Sequence, residues 1–222
     1  MIKQIFASLL IMVFLISCEK DDNNIVTNES SSPTVKLNAT YDFNITEDII
    51  YAEGLSHDYW NSSNTTALPL YMDSYVPENN SQNRPLLMLI HGGAFVGGSK
   101  QQDAIVDMAN YYASRGFVVF SIDYRLRDHM GTIPQAWIDA SSVGNPSNLD
   151  QIFAIYPAHR DAKAALRWIM ANAQNYNINK DYITVGGGSA GAITSIGICV
   201  SELDDYKDEI SLSEDNTLST TN

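Results

Sequence analysis

The sequence predicts an α/β fold: a mostly parallel sheet with helices on both faces. Three observations carry that expectation. Two continuous apolar runs, 84–90 and 117–123, have strand length and suit strands covered on both sides. Two segments, 102–115 and 157–173, repeat their apolar residues at helical spacing. A shorter apolar stretch, 182–185, runs into a glycine turn and then a small-residue helical pattern. Strands that alternate with helices imply parallel pairing with helices packed on the sheet.

The first residues read as an export leader. Lys3 supplies a positive start, and 5–16 is almost wholly apolar but too short to span a bilayer comfortably. The run ends in Leu15-Ile16-Ser17-Cys18, which resembles the lipobox of bacterial lipoproteins. That resemblance implies a signal peptide at 1–17, cleavage before Cys18, and acylation of Cys18 as an outer-membrane or cell-surface anchor. One acyl chain holds a protein only marginally, so a stable anchor needs the several chains such lipoproteins carry. An ordinary signal peptide with a chance cysteine is the weaker alternative. The next residues, Glu19-Lys20-Asp21-Asp22-Asn23-Asn24, resemble the charged export signal of Bacteroidetes-type surface lipoproteins. The stretch 18–38 is rich in Asn, Ser, Asp and Thr and reads as a flexible acidic and polar tether.

The folded domain is expected over 39–222. Residues 41–50 and 68–76 are short stretches of aromatic and branched residues, read as early strands. The run 84–90 is a buried strand, and the helix 102–115 stops at Gly116. A second buried strand follows at 117–123. Residues 127–150 mix Gly, Pro, Ser and Asn with two apolar islands, a long excursion of the kind that shapes a pocket. An amphipathic helix is expected to start at Pro157, then a strand at 182–185 and a helix to about residue 200. The chain has no internal repeats.

Composition limits the partners. A net charge of −13 argues against nucleic acid, which needs a basic surface, and disfavours strongly anionic substrates. Neutral esters or sugars fit better. There are two cysteines. With Cys18 lipidated, Cys199 has no partner for a disulfide, and its neighbours Ile196, Ile198 and Val200 predict a small buried hydrophobe.

The chemistry gathers at two glycine corners. Gly187-Gly188-Ser189-Ala190-Gly191 follows a strand and opens a helix, so one serine sits at the apex of a sharp turn. A helix start behind Ser189 favours negative charge developing beside it. His91-Gly92-Gly93-Ala94-Phe95 follows the buried strand at 84–90. Backbone N–H groups there would stabilise the oxyanion formed on attack at an ester carbonyl, each worth roughly 3 kcal/mol. The expected donors are Gly92, Gly93 and Ala190, the residue after the nucleophile. His91 is expected to be structural.

Either motif alone occurs in plain glycine turns; both together, in this order and each directly after a buried strand, resemble the α/β-hydrolases of the esterase/lipase type. The likeness is to hormone-sensitive-lipase-like and type-B carboxylesterase enzymes and to the feruloyl/acetyl-xylan esterase branch. Ala94 stands where the lipase motif has its last glycine. Asp123-Tyr124-Arg125-Leu126, Asp161 with Ala165-Leu166-Arg167-Trp168-Ile169, and Asn172-Ala173 with Tyr176 and Ile178 agree with the same resemblance, which covers roughly 41–200. Asp123, Arg125 and Asp161 are expected to fix the loops around the site.

The resemblance implies a serine-dependent carboxylic ester hydrolase acting through an acyl-enzyme on small acyl esters or acylated polysaccharide, with no metal and no organic cofactor. It also implies a triad in chain order Ser, Asp or Glu, His. No histidine follows Ser189; His57, His91, His129 and His159 all precede it. Asp204, Asp205, Asp208 and Asp215 follow, in a polar stretch without a strand before them. The expectation is therefore the front portion of a longer esterase, the fold incomplete after the nucleophile helix and the chain itself of little or no activity. A complete protein using His159 or His129 as base is the competing explanation. A serine peptidase of the same fold and a non-catalytic, hydrolase-like surface binder remain alternatives.

Overall fold

A computed structural model of the chain describes residues 32–201. The leader at 1–17, Cys18, most of the 18–38 tether and everything from 202 onward lie outside the described residues. Where the tether segment enters them it runs along the body. The Lys36 N–H donates to the Arg115 carbonyl (3.0 Å), and Arg115 Nε donates to the Leu37 carbonyl (3.1 Å).

The strands are β1 (Phe43–His57), β2 (Thr65–Pro77), β3 (Arg84–Ile90), β4 (Val118–Ile122) and β5 (Ile178–Gly187). The helices are α1 (Asp103–Ala113), α2 (Gln135–Ser141), α3 (Leu149–Phe153), α4 (Ile155–Ala171) and α5 (Ala190–Val200). They build one five-stranded sheet in the order β1-β2-β4-β3-β5. β3 pairs parallel with β4 on one side and with β5 on the other. β1 and β2 form an antiparallel hairpin, and β2 meets β4 antiparallel. The sheet is thus mixed. Its parallel part is where helices supply the connections, and its antiparallel part begins where the short link 58–64 permits only a hairpin.

The period of two in a strand sorts the core into two layers. Leu86, Met88 and Ile90 of β3 and Val118, Phe120 and Ile122 of β4 face the side covered by α4 and α5. Leu87 and Leu89 of β3 and Val119 of β4 face the other side, against Ile105, Ala109 and Ala113 of α1. That is why both runs read as continuously apolar: every residue of β3 and β4 is buried. β5 differs. Among the described residues its one strand neighbour is β3, and its residues 180–184 are exposed.

Several elements depart from their sequence expectations. The 127–150 excursion holds α2 and the start of α3, with a 3-10 turn at Arg127–His129 before them. α4 begins at Ile155, so Pro157 lies inside its first turn, where a missing N–H breaks no helical bond. Cys199 is exposed rather than buried. It lies on the outward face of α5 with Ile193, Ile196 and Val200, which α4 and the sheet leave uncovered. An apolar neighbourhood in sequence became an open face because α5 buries only the side carrying Ala190, Gly191, Thr194 and Ser195.

Two buried polar ties lock the loops at the carboxyl end of the parallel strands. Arg125 and Asp161 are 1% and 0% exposed. Arg125 Nη2 donates to Asp161 Oδ1 at 2.7 Å, Nε reaches both oxygens, and the Arg125 N–H donates to Oδ2 at 2.8 Å. Both charges are therefore satisfied, the condition for tolerating them inside. Lys100, also buried, bridges Asp73 of β2 (2.7 Å) and Asp48 of β1 (2.9 Å). Removing one member leaves the other charge stranded. Asp161→Ala is expected to lower unfolding free energy by about 3–5 kcal/mol. Denaturant titration measures this, and Arg125→Met/Asp161→Leu should recover much of the loss.

Candidate active site

The site is set by strand register. Ile90 of β3 stands opposite Ile122 of β4 and Gly187 of β5. All three strands are parallel, so the segments beginning at His91, Asp123 and Gly188 leave the sheet at one level and on one edge. In open α/β sheets that edge, beyond the strand carboxyl ends, is where ligands bind.

The turn at Ser189 is shaped by contact with β3. A Cβ added at Gly187 would lie 2.2 Å from the Ile90 carbonyl oxygen, and one at Gly191 2.0 Å from the same atom. No side chain fits at either position. Gly188, between them, has open space. The outer glycines of the motif thus let α5 start directly against the end of β3. Ser189 sits at the cap position of α5 with φ 52° and ψ −115°. That is a left-handed backbone on a residue with a Cβ, worth about 1–3 kcal/mol of strain. The strain lifts the side chain outward: Ser189 is exposed, whereas Ala190 behind it is 2% exposed. The serine side chain does not cap the helix, so its hydroxyl is not consumed by α5.

The second corner meets the first. A Cβ at Gly92 would stand 2.8 Å from the Gly188 carbonyl oxygen and 3.4 Å from Ser189 Cβ. The two segments, so far apart in sequence, are in van der Waals contact. Gly93 has φ +126°, and its carbonyl receives the N–H groups of Val96 (2.9 Å) and Gly97 (3.2 Å), closing a tight loop. The Gly92 and Gly93 amides donate to no turn or loop carbonyl among the described residues. The Ala190 amide belongs to the first turn of α5, where N–H groups lack helical partners, and the α5 dipole adds positive potential there. Gly92 and Ala190 thus adjoin the Ser189 corner, and Gly93 follows Gly92 in the loop.

His91 is structural in position. It is 1% exposed, its ring stacks on Tyr124 (4.3 Å, 16°), and Nδ1–H donates to the Gly92 carbonyl (2.8 Å). Burial pushes its pKa down, so it stays neutral at physiological pH. Asp123 accepts the Lys100 N–H at 2.7 Å, and burial raises its pKa. The helix α3 also reaches the loop after β3: Gln151 Nε2 donates to the Ala94 carbonyl at 2.7 Å. Trp60, at the tip of the β1–β2 link, holds that segment through Asp150 (3.0 Å) and an edge contact with Phe153 (5.6 Å). Neither Gln151 nor Lys100 carries a local sequence signal; their roles follow from contacts across the fold.

None of the four histidines meets Ser189. His159 lies against Gly197 on α5, with Nε2 3.0 Å from where a Gly197 Cβ would be. Gly197 is two turns beyond Ser189, about 12 Å along the helix. His129 Nδ1 accepts the Leu126 N–H (3.0 Å), and His57 is engaged by Ser62 (2.8 Å) and Thr132 (3.3 Å) near the hairpin tip. Among the described residues no imidazole is hydrogen-bonded to Ser189: His91 is held on Tyr124 and the Gly92 carbonyl, His159 lies against Gly197, and His129 holds the Leu126 N–H.

The chain is similar to known carboxylesterases. The carboxylesterase family profile matches residues 61–213. Carboxylesterase 1C of Rattus norvegicus is 31% identical over 156 residues, covering 69% of this chain and 25% of its own length. Para-nitrobenzyl esterase of Bacillus subtilis (strain 168) is 30% identical over 129 residues, covering 56% of this chain and 23% of its own. The chain therefore spans about a quarter of these curated relatives. Among solved structures, Thermogutta terrifontis esterase 2 phosphorylated by paraoxon superposes with a TM-score of 0.51 at 19% identity, covering 79% of this chain and 54% of that one. That last likeness concerns the fold.

The Gly92 contact is testable in the protein expressed from its complete reading frame. Gly92→Ala, whose Cβ meets the Gly188 carbonyl, should slow reaction of Ser189 with a phosphonate probe by about a hundredfold while circular dichroism is retained. Gly186→Ala, which meets nothing within 4 Å, should stay within about twofold.

Proposed function

The chain belongs to the carboxylesterase family, and from that premise we propose that the protein is a serine-dependent carboxylic ester hydrolase whose nucleophile is Ser189. The observation that carries this reading is the contact between the two glycine corners, which brings amide donors and an exposed, strained serine together. Ser189 Oγ attacks the acyl carbon and its proton passes to a base. The carbonyl π pair moves onto oxygen, where the Gly92, Gly93 and Ala190 amides receive it. Collapse expels the alcohol, which takes up the proton, and leaves an acyl-serine that water hydrolyses. This chemistry requires neither a metal nor an organic cofactor. None of the four histidines is hydrogen-bonded to Ser189 among the described residues, so the reading leaves the base to a group that those residues do not place.

The substrates that fit are neutral: small acyl esters or acyl groups on polysaccharide. The net charge of −13 supports that choice by disfavouring anionic ligands. The leader and Cys18 support a surface lipoprotein held in the outer membrane by acyl chains. A non-catalytic surface binder of the same fold is the second reading; among the described residues no histidine is hydrogen-bonded to Ser189.

A fluorophosphonate probe and p-nitrophenyl acetate separate the two readings on the protein from its complete reading frame. The hydrolase should label and turn over, and Ser189→Ala should abolish labelling and lower kcat at least about a thousandfold. Equal labelling of both proteins sinks the nucleophile assignment; no labelling and no turnover in either supports the binder. For the anchor, cells fed radiolabelled palmitate should incorporate label into the wild type and not into Cys18→Ala, and incorporation in both would exclude Cys18 as the acylated residue.

A further inference from the structure

We propose that Asn61, in the link between β1 and β2, is a positioning residue that fixes a wall beside the Ser189 corner and so sets how bulky an ester the site accepts. The inference rests on the hydrolase reading and adds a size limit to it. The wall is the segment 127–151. It follows β4, whose carboxyl end lies on the sheet edge that carries Ser189. Both of its ends bond to the loop after β3. The Arg127 N–H donates to the Phe95 carbonyl, and Gln151 Nε2 donates to the Ala94 carbonyl, each at 2.7 Å. That loop is the one whose Gly92 meets Gly188 and Ser189. The segment therefore departs from and returns to adjacent carbonyls, next to the corner that presents the serine.

The wall needs outside restraint. Its middle, α2, has no buried residue, so packing alone holds it poorly. Two consecutive residues of the β1–β2 link grip its two legs. Trp60 takes the returning leg, through Nε1 to Asp150 Oδ1 (3.0 Å) and an edge contact with Phe153 (5.6 Å). Asn61 takes the departing leg. Its N–H donates to the Gly131 carbonyl (3.1 Å), and its Nδ2 donates to the Ile133 carbonyl (3.1 Å). The Ile133 N–H donates back to Asn61 Oδ1 at 2.7 Å. One planar amide thus satisfies both polar groups of the Ile133 backbone. Ile133 is buried, so water is a poor substitute for those bonds. Asn61 also has φ 60°, a left-handed backbone that asparagine tolerates better than most residues. The position asks for that backbone and for a donor and an acceptor on one side chain. Buried His57 backs the same junction, engaging the Ser62 carbonyl through Nδ1 (2.8 Å) and the Thr132 hydroxyl through Nε2 (3.3 Å). A wall held on both legs does not yield to a long chain, and room for one methylene more or less changes selectivity by about 10- to 200-fold.

Asn61→Gly keeps the left-handed backbone and deletes only the amide pair. Asn61→Asp keeps the acceptor and sets a carboxylate oxygen against the Ile133 carbonyl. In the protein expressed from its complete reading frame, the readout is a ratio of kcat/KM values, which does not depend on the folded fraction. Relative to p-nitrophenyl acetate, either p-nitrophenyl octanoate or octyl acetate should gain at least about fivefold in both variants, according to which side of the ester meets the wall. Ratios that stay within about twofold for both long esters, or that fall, overturn the size limit. Hydrogen exchange supplies a readout that needs no turnover. The Ile133 amide should exchange at least about tenfold faster in Asn61→Gly, with the amides of β3 and β4 unchanged. Unchanged exchange at Ile133, or faster exchange throughout the sheet, overturns the clamp while leaving the nucleophile assignment to the probe experiment. A wild-type protein that turns over none of these esters overturns the hydrolase reading and the size limit with it, and exchange at Ile133 then decides the clamp alone.

Discussion

The end of β3 and the start of α5 approach more closely than any side chain would tolerate. Both Gly187 and Gly191 face the Ile90 carbonyl oxygen at a distance where a Cβ would collide. Everything at the site depends on that contact. It seats the α5 N-terminus beside the segment leaving β3, so the Ala190 amide and the Gly92 corner are neighbours. It also forces the turn at Ser189 into a left-handed backbone, which exposes the hydroxyl instead of packing it. The two glycine motifs are two sides of one packing requirement.

Buried charge keeps the surrounding loops from drifting. Arg125 and Asp161 join the segment after β4 to α4, and Lys100 joins the far end of the 91–100 loop to Asp73 of β2. Such pairs add little net stability against an apolar replacement, but they fail badly if one partner is lost. Their contribution here is geometric. Each restricts a loop that leaves the same edge of the sheet, so the amides and the serine share one rigid frame.

The parts legible in the sequence were those decided locally. β3 matched its apolar run because both faces are covered, and Ser189 with Gly92 and Gly93 stood out because glycines flank them. β5 was read only at 182–185, since Asn179, Lys180 and Asp181 are polar residues on an exposed edge. The helices α2 and α3 were hidden by the Gly, Pro, Ser and Asn composition around them. Cys199 misled because α5 is apolar on its outward face as well as its inward one. Lys100 was not recognisable in advance, because its partner Asp73 lies on β2, far away in sequence, and only the fold brings the two together.

A crystal structure of the protein from its complete reading frame, with a phosphonate bonded to Ser189 Oγ, tests the arrangement most directly. The phosphonyl oxygen should lie about 2.7–3.1 Å from the N–H nitrogens of Gly92, Gly93 and Ala190. A phosphonyl oxygen directed into solvent, with those amides bonded elsewhere, would contradict the convergence on which the site is built.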